Sequence, residues 1–194
     1  MYDRPSPENL AQRKKAFLEG LRLDSDIWVF GYGSLMWNPG FGHVESRPAL
    51  LYGWHRSFCV FSHRYRGTPE RPGLVLGLDR GGSCRGVAYR VARAQAEEVL
   101  DYLWDREMVN GVYTPRLLRP KTPAGQPECH VFTVDRRHYQ YAGGLDEGEM
   151  VRLIRQGVGK GGHNREYLAN TVRHLDELGI GDGPLHRLLM LVEG

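Results

Sequence analysis

Apolar residues follow two rhythms along this chain. The first half carries short runs that suit strands. Ile27 to Phe30 is unbroken and apolar, which predicts a buried strand. Trp54 to Phe61 predicts a second strand, with Trp54, Arg56, Phe58 and Val60 on one side and His55, Ser57, Cys59 and Phe61 on the other. Large apolar groups on both sides predict cover on each face. Leu74–Leu78 and Gly86–Val91 predict two more strands, separated by a turn at Gly81-Gly82. Val112–Leu118 and His130–Val134 complete the set. Pro115 lacks the donor that a central ladder needs, so its segment is expected to be an edge strand, a bulged strand or two shorter pieces.

A helical period is clearest over Ala94–Met108. Ala96, Val99, Leu100, Leu103 and Trp104 recur at spacings of three and four and define one apolar face. Glu107 continues that face, and Asn110-Gly111 ends the helix. Ala11–Leu23 predicts a short amphipathic helix with Ala16, Phe17, Gly20 and Leu21 or Leu23 inward. Further helices are predicted at Glu147–Gln156, at Asn164–Leu178 with a stripe of Leu168, Val172, Leu175 and Leu178, and at Pro184–Val192. Asn164 is expected to cap the second of these, and Pro184 occupies a first turn, where its missing N–H does no harm. Strands around one central helix, followed by helices, indicate the α+β class rather than a doubly wound sheet.

The 194 residues suffice for one domain with a substantial core. Residues 27–194 are expected to form it, with residues 1–26 as an extension that is partly helical. A net charge of +3, from 26 basic and 23 acidic residues, is too even to point to nucleic acid. Arg64, Arg66 and Arg71, interrupted by Glu70, suit a solvated loop first and an anion-facing rim second. Cys59, Cys84 and Cys129 are sparse, odd in number and without CxxC spacing, which suits thiols in a reducing compartment. No apolar stretch precedes Ile27 and no run reaches membrane-spanning length, so a cytoplasmic protein without a membrane partner is expected. The sequence specifies no oligomeric state.

Two features could carry chemistry. Gly31-Tyr32-Gly33-Ser34 follows the first predicted strand. It departs from GxGxxG, because Met36 stands at the third glycine position, and it lacks the Walker lysine. GxSxG, HExxH and Cys/His clusters are absent too, so neither metal nor cofactor is expected. The segment is either a plain tight turn or a backbone cradle for a carboxylate or oxyanion. Glu107 is the second feature. A carboxylate on a packed helix face loses hydration and its pKa rises, as a proton-returning base requires. The competing reading is a helix-end glutamate paired with an arginine such as Arg106 or Arg116, or simply fraying into water.

A set of motifs runs along the chain. Val29-Phe30-Gly31-Tyr32-Gly33-Ser34-Leu35-x-Trp37 comes first, then Gly53-Trp54-x-Arg56-x-Phe58, Arg66-Gly67, and Pro72-Gly73-Leu74-Val75-x-Gly77-Leu78. Gly86-Val87-Ala88-Tyr89-Arg90, Tyr102-Leu103-x-x-Arg106-Glu107 and Gly162-x-Asn164-x-Glu166-Tyr167-Leu168 follow. In these segments and their order, from about Trp28 to Leu178, the chain resembles the glutathione-specific γ-glutamylcyclotransferases, the ChaC-like family. The resemblance implies a small mixed β-sheet or barrel with surrounding helices, and the cleavage of glutathione to 5-oxoproline and cysteinylglycine without a cofactor. It implies Glu107 as the acid/base residue, and Tyr32, Gly33, Ser34 and Leu35 as the holders of the γ-glutamyl group. Arg66, Tyr113 and Tyr167 are implied as further substrate contacts. Two other readings stay open: a cyclotransferase for other γ-glutamyl amines or peptides, and a non-enzymatic anion-binding protein on the same scaffold.

Overall fold

A computed structural model of the protein describes residues 6–21, 23–108 and 110–194. The chain runs through helix α1 (Pro7–Glu19), strands β1 (Ile27–Gly31), β2 (Glu45–Ser62) and β3 (Gly73–Val91), and helix α2 (Ala96–Glu107). Strands β4 (Tyr113–Leu118) and β5 (Cys129–Val134) follow, then helix α3 (Glu147–Gln156). The small pair β6 (Val158–Gly159) and β7 (Gly162–His163) precedes helices α4 (Asn164–Glu177) and α5 (Gly183–Glu193). The residues group into two compact units. One holds Met1–His55 with Arg80–Tyr139, the other Arg56–Asp79 with Gln140–Gly194.

The five-stranded sheet has the order β2-β3-β1-β5-β4. The apolar run β1 takes the centre, antiparallel to β3 and parallel to β5. Strand β4 lies at an edge with Pro115 opposite Phe132, which settles the choice left open by that proline in favour of an edge strand. Leu50 of β2 and Lys121, just beyond β4, exchange two backbone hydrogen bonds of 2.8 Å. That bridge ties one sheet edge to the segment after the other, so the sheet curls toward a barrel. The class is α+β.

Strand β3 corrects an expectation. Two strands and a turn at Gly81-Gly82 were predicted; one strand runs over 19 residues. Gly81 and Gly82 take φ of 105° and 64°, a bend that glycine makes without a Cβ clash, so the backbone turns and the strand continues. Gly53 plays the same part in β2 at φ 79°, and that strand begins at Glu45 rather than at Trp54.

Helix α2 buries Ala96, Val99, Leu100, Leu103 and Trp104, the face its periodicity predicts. They join Ile27, Val29, Leu35, Val91, Met108 and Phe132 in one core. Helix α1 starts and stops earlier than its apolar spacing suggests. Ser6 caps it by accepting the Asn9 N–H at 3.2 Å, and Gly20 ends it. Ala16 is exposed, whereas Phe17, Leu18, Leu21 and Leu23 pack on the core. The Phe17 ring lies 5.1 Å from that of Trp104, and Lys14 Nζ lies 2.8 Å from both Asp101 and Asp105.

Gly86 shows how tightly β1 and β3 are joined. A Cβ there would stand 2.7 Å from Phe30 Cζ and would also press on the Gly31 carbonyl oxygen. Gly86→Ala is expected to lower stability by about 1–3 kcal/mol through overpacking. The check is a shift of the urea midpoint at constant m-value; an unmoved midpoint would mean that this contact yields freely.

In the second unit α3, α4 and α5 pack on one another. Helix α3 has the predicted bounds and opens with a capping box between Asp146 and Glu149. Helix α5 is capped by Asp182, whose carboxylate accepts the Leu185 N–H and also pairs with the buried Arg56 at 2.7 Å. Leu168, Val172 and Leu175 of α4 are buried, but Leu178 is 43% exposed because it follows the last helical turn.

Asn164 is a second correction. It does not cap α4: His163 holds that place, without a side-chain cap bond. Asn164 is fully buried; its side-chain oxygen accepts the Leu74 N–H at 2.6 Å and its amide donates to the Leu74 carbonyl at 2.7 Å. An asparagine amide presents donor and acceptor side by side, so it completes a stretch of strand as a second backbone would. Among the described residues no helix is long and apolar enough to cross a membrane.

Candidate active site

Strand β1 ends at Gly31, and the chain turns at once into a short 3-10 helix, Ser34–Met36. Gly31 is required for close approach rather than for a positive φ. A Cβ on it would sit 3.1 Å from Leu35 Cβ and 3.4 Å from the Tyr89 ring. The turn is braced by the Met36 N–H donating to the Gly33 carbonyl at 2.8 Å, and by the Tyr89 hydroxyl donating to the Met36 carbonyl at 2.9 Å. Tyr32 and Gly33 are buried, and Ser34 is half-buried. The Leu35 side chain belongs to the core, so only its backbone faces outward chemistry.

Glu107 closes α2 on the face that carries Leu103 and Trp104. Its side chain keeps only 17% of its surface in solvent. Burial pushes its carboxyl above the usual range, and the Arg106 charge, with Nε 3.4 Å from Glu107 Oε1, pulls part of the way back. Both readings drawn from the sequence are thus combined: the glutamate is shielded, and it has an arginine beside it. Tyr113, at the start of β4, is half-buried against the same core.

Arg106, a motif position and a pairing partner for Glu107 in the sequence, joins the two features. Its Nη2 donates to Ser34 Oγ at 2.8 Å. Its Nη1 donates to the carbonyls of Asn38 at 2.8 Å and Pro39 at 3.1 Å, and to the Tyr102 hydroxyl at 2.9 Å. One residue therefore links the end of α2 to the whole turn after β1. The signal in the sequence was its place: four residues after Tyr102 on the helix surface, and directly before the glutamate.

Arg66 and Tyr167 lie in the second unit and meet there. The Arg66 guanidinium stands 5.0 Å over the Tyr167 ring, and the Phe58 ring lies 5.5 Å from that of Tyr167. Arg66 also donates to the Gly161 and His163 carbonyls. Glycines let the segments lie this close: a Cβ on Gly157 would fall 2.9 Å from Gly73 Cα. Cys59, Cys84 and Cys129 are buried and form no disulfide, and burial pushes the Cys129 thiol up to about 12, far from a reactive thiolate.

A family model described as ChaC-like protein matches residues 27–194. The chain belongs to the ChaC-like family. A relative from Escherichia coli strain K12, a glutathione-specific γ-glutamylcyclotransferase, is 39% identical over 171 residues, covering 88% of this chain and 74% of its own. A Schizosaccharomyces pombe protein of the same description is 33% identical, over 81% of this chain and 88% of its own. Among solved structures, a yeast γ-glutamyl cyclotransferase specific to glutathione superimposes with a TM-score of 0.77 at 26% identity, over 88% of this chain and 96% of that one. In this ChaC-like chain the family match begins at the first strand, and helix α1 precedes it.

Proposed function

We propose that this chain is a glutathione-specific γ-glutamylcyclotransferase, a lyase that needs no cofactor, with Glu107 as its acid/base residue. The observation that carries the reading is the pairing of a shielded carboxylate with the Gly33–Leu35 turn through Arg106. Its relatives' activity and the shared fold support the same assignment.

The chemistry suits those groups. Glutathione folds back so that its α-amine nears its own γ-carbonyl. At neutral pH this amine is protonated and cannot attack. Glu107, made more basic by burial, takes a proton from it. The nitrogen then bonds to the γ-carbon and closes a five-membered lactam. Because the attack is intramolecular, holding the folded-back conformer supplies much of the rate. Charge gathers on the carbonyl oxygen. The first N–H groups of the 3-10 turn, which have no partner within it, are the assigned donors. As the bond to the cysteinyl nitrogen breaks, Glu107 returns a proton to the leaving amine. A second proton passes from the attacking amine to the leaving amine through solvent, so the reaction is proton-neutral overall.

Tyr32, Ser34 and Tyr113 are assigned to hold the γ-glutamyl group beside Glu107. Arg66 and Tyr167 keep the role of substrate contacts that the family motif implies; their own pairing supports that assignment. We take residues 27–194 as one cyclotransferase domain, and place the protein in the cytoplasm, where three cysteines without a disulfide are at home.

Incubation with glutathione should release 5-oxoproline and cysteinylglycine in equal amounts, while γ-glutamyl amino acids react far more slowly. Tight glutathione binding without product would overturn the enzyme in favour of a binding protein. Equal rates across the γ-glutamyl panel would overturn the specificity alone. Ser34→Ala should raise KM more than it lowers kcat; unchanged kinetics would leave that hydroxyl a structural part of the turn.

A further inference from the structure

We infer that Arg106 is the positioning residue of this site: its guanidinium fork orients the Ser34 hydroxyl as a donor toward substrate and locks the turn after β1 to Glu107. The inference rests on the cyclotransferase reading and adds a residue that the family resemblance did not assign.

The argument begins with donors and acceptors. Arginine carries five N–H groups in a rigid plane and accepts nothing. Here they reach Ser34 Oγ, the carbonyls of Asn38 and Pro39, the Tyr102 hydroxyl oxygen and, at longer range, the Glu107 carboxylate. Three of these partners belong to the segment that follows β1, and two to α2. A lysine ammonium is a single point and cannot span them.

Ser34 gains a direction from this. A hydroxyl has one hydrogen and two lone pairs. The guanidinium donates into one lone pair, so the hydrogen is left to point elsewhere. Among the described residues no protein acceptor takes it. The group placed opposite must therefore accept a hydrogen bond, as a carboxylate or carbonyl oxygen of the γ-glutamyl moiety does. Leu35, the next residue, is anchored in the same core as Leu103 and Trp104, so the turn cannot swing away from α2 without unpacking it.

The charge that acts on Glu107 is that of Arg106. Lys14, on α1, is engaged by Asp101 and Asp105. Burial pushes the imidazoles of His130, on β5, and of His138, beyond it, below their ordinary range, and Tyr113 stands at the start of β4. Two properties of Arg106 can thus be separated: its fork and its charge.

Arg106→Lys keeps the charge and removes the fork. KM for glutathione should rise about tenfold, the loss of a charge-assisted hydrogen bond, with the acid limb of the kcat/KM profile in place. Arg106→Met removes both, so the same KM rise should come with an acid limb moved up by about one pH unit, because Glu107 loses the cation that favours its ionised form. Ser34→Ala added to Arg106→Lys should cost little more, since the hydroxyl is already undirected. A merely structural arginine would lower the melting temperature and the active fraction but leave KM and the limb untouched; that result, or a lysine variant with wild-type KM, overturns the inference. Wild type measured alongside separates the two claims. If wild type releases no 5-oxoproline, the function fails, and the fork is then judged on glutathione Kd by calorimetry, where an unchanged value in Arg106→Lys overturns it.

Discussion

Glu107→Gln should lose turnover by about 10²–10⁴-fold, the span that a positioned acid/base group supplies, while still binding glutathione. Glutamine keeps the size and the acceptor oxygen of glutamate but exchanges no proton, so only the transfer steps are removed. A purified variant with near wild-type 5-oxoproline release would end the assignment. The same substitution tests the desolvation argument through stability. Burial raises the folded-state pKa of Glu107 above its ordinary value of 4.5. The folded protein therefore holds this proton more tightly than the unfolded chain. The resulting stability is fully present below the unfolded-chain pKa, and is lost as pH rises through the raised folded value. Glutamine does not titrate. The melting temperature of Glu107→Gln relative to wild type should thus climb as pH rises from the ordinary glutamate value of 4.5 through the raised folded value. A relative melting temperature that stays level or falls across that range would mean that the carboxylate is well compensated where it lies.

Asn164→Ala should destabilise the protein by about 3–5 kcal/mol, because it strands a buried N–H and a buried carbonyl of Leu74 and leaves a void between them. Equilibrium urea unfolding reads this directly, and a loss under about 1 kcal/mol would show that other groups can take over both bonds. Asn164→Asp refines the test. An ionised aspartate still accepts from the Leu74 N–H but faces the Leu74 carbonyl with a second acceptor. Protonation restores a donor. Its folded-state pKa is therefore expected above the unfolded value, so this variant should recover stability as pH falls and lose it as pH rises. Gly73 and Gly157 crowd the same asparagine, with hypothetical Cβ atoms 2.5 Å from its Oδ1 and 3.0 Å from its Cβ. A larger residue than asparagine has no room there.

The two residues differ in how far the sequence could reveal them. Glu107 was visible because helical periodicity is a local property: its distance from Leu103 and Trp104 puts it on the buried face whatever the rest of the fold does. Asn164 was misread for the complementary reason. Its position before an amphipathic stretch is a genuine capping signal, but Leu74 lies 90 residues earlier in the chain. Local competition for helix N–H groups lost to two bonds with a strand that no nearby residue announces. Arg106 lies between these cases. Its neighbours in sequence placed it beside Glu107, whereas its bond to Ser34 spans 72 positions.

From sequence alone came the buried first strand, the face of α2, the bounds of α3, the glycine turn and the shielded glutamate. All of these follow from spacing, chain stiffness and desolvation within a few residues. Tertiary structure alone decided that β3 bends without ending, that Pro115 sits at an edge, that Asn164 serves a strand, and that one guanidinium binds the turn to the acid. Those outcomes depend on which distant donor meets which acceptor once the backbone is folded, and hydrogen-bond partners far apart in the chain leave no periodic trace.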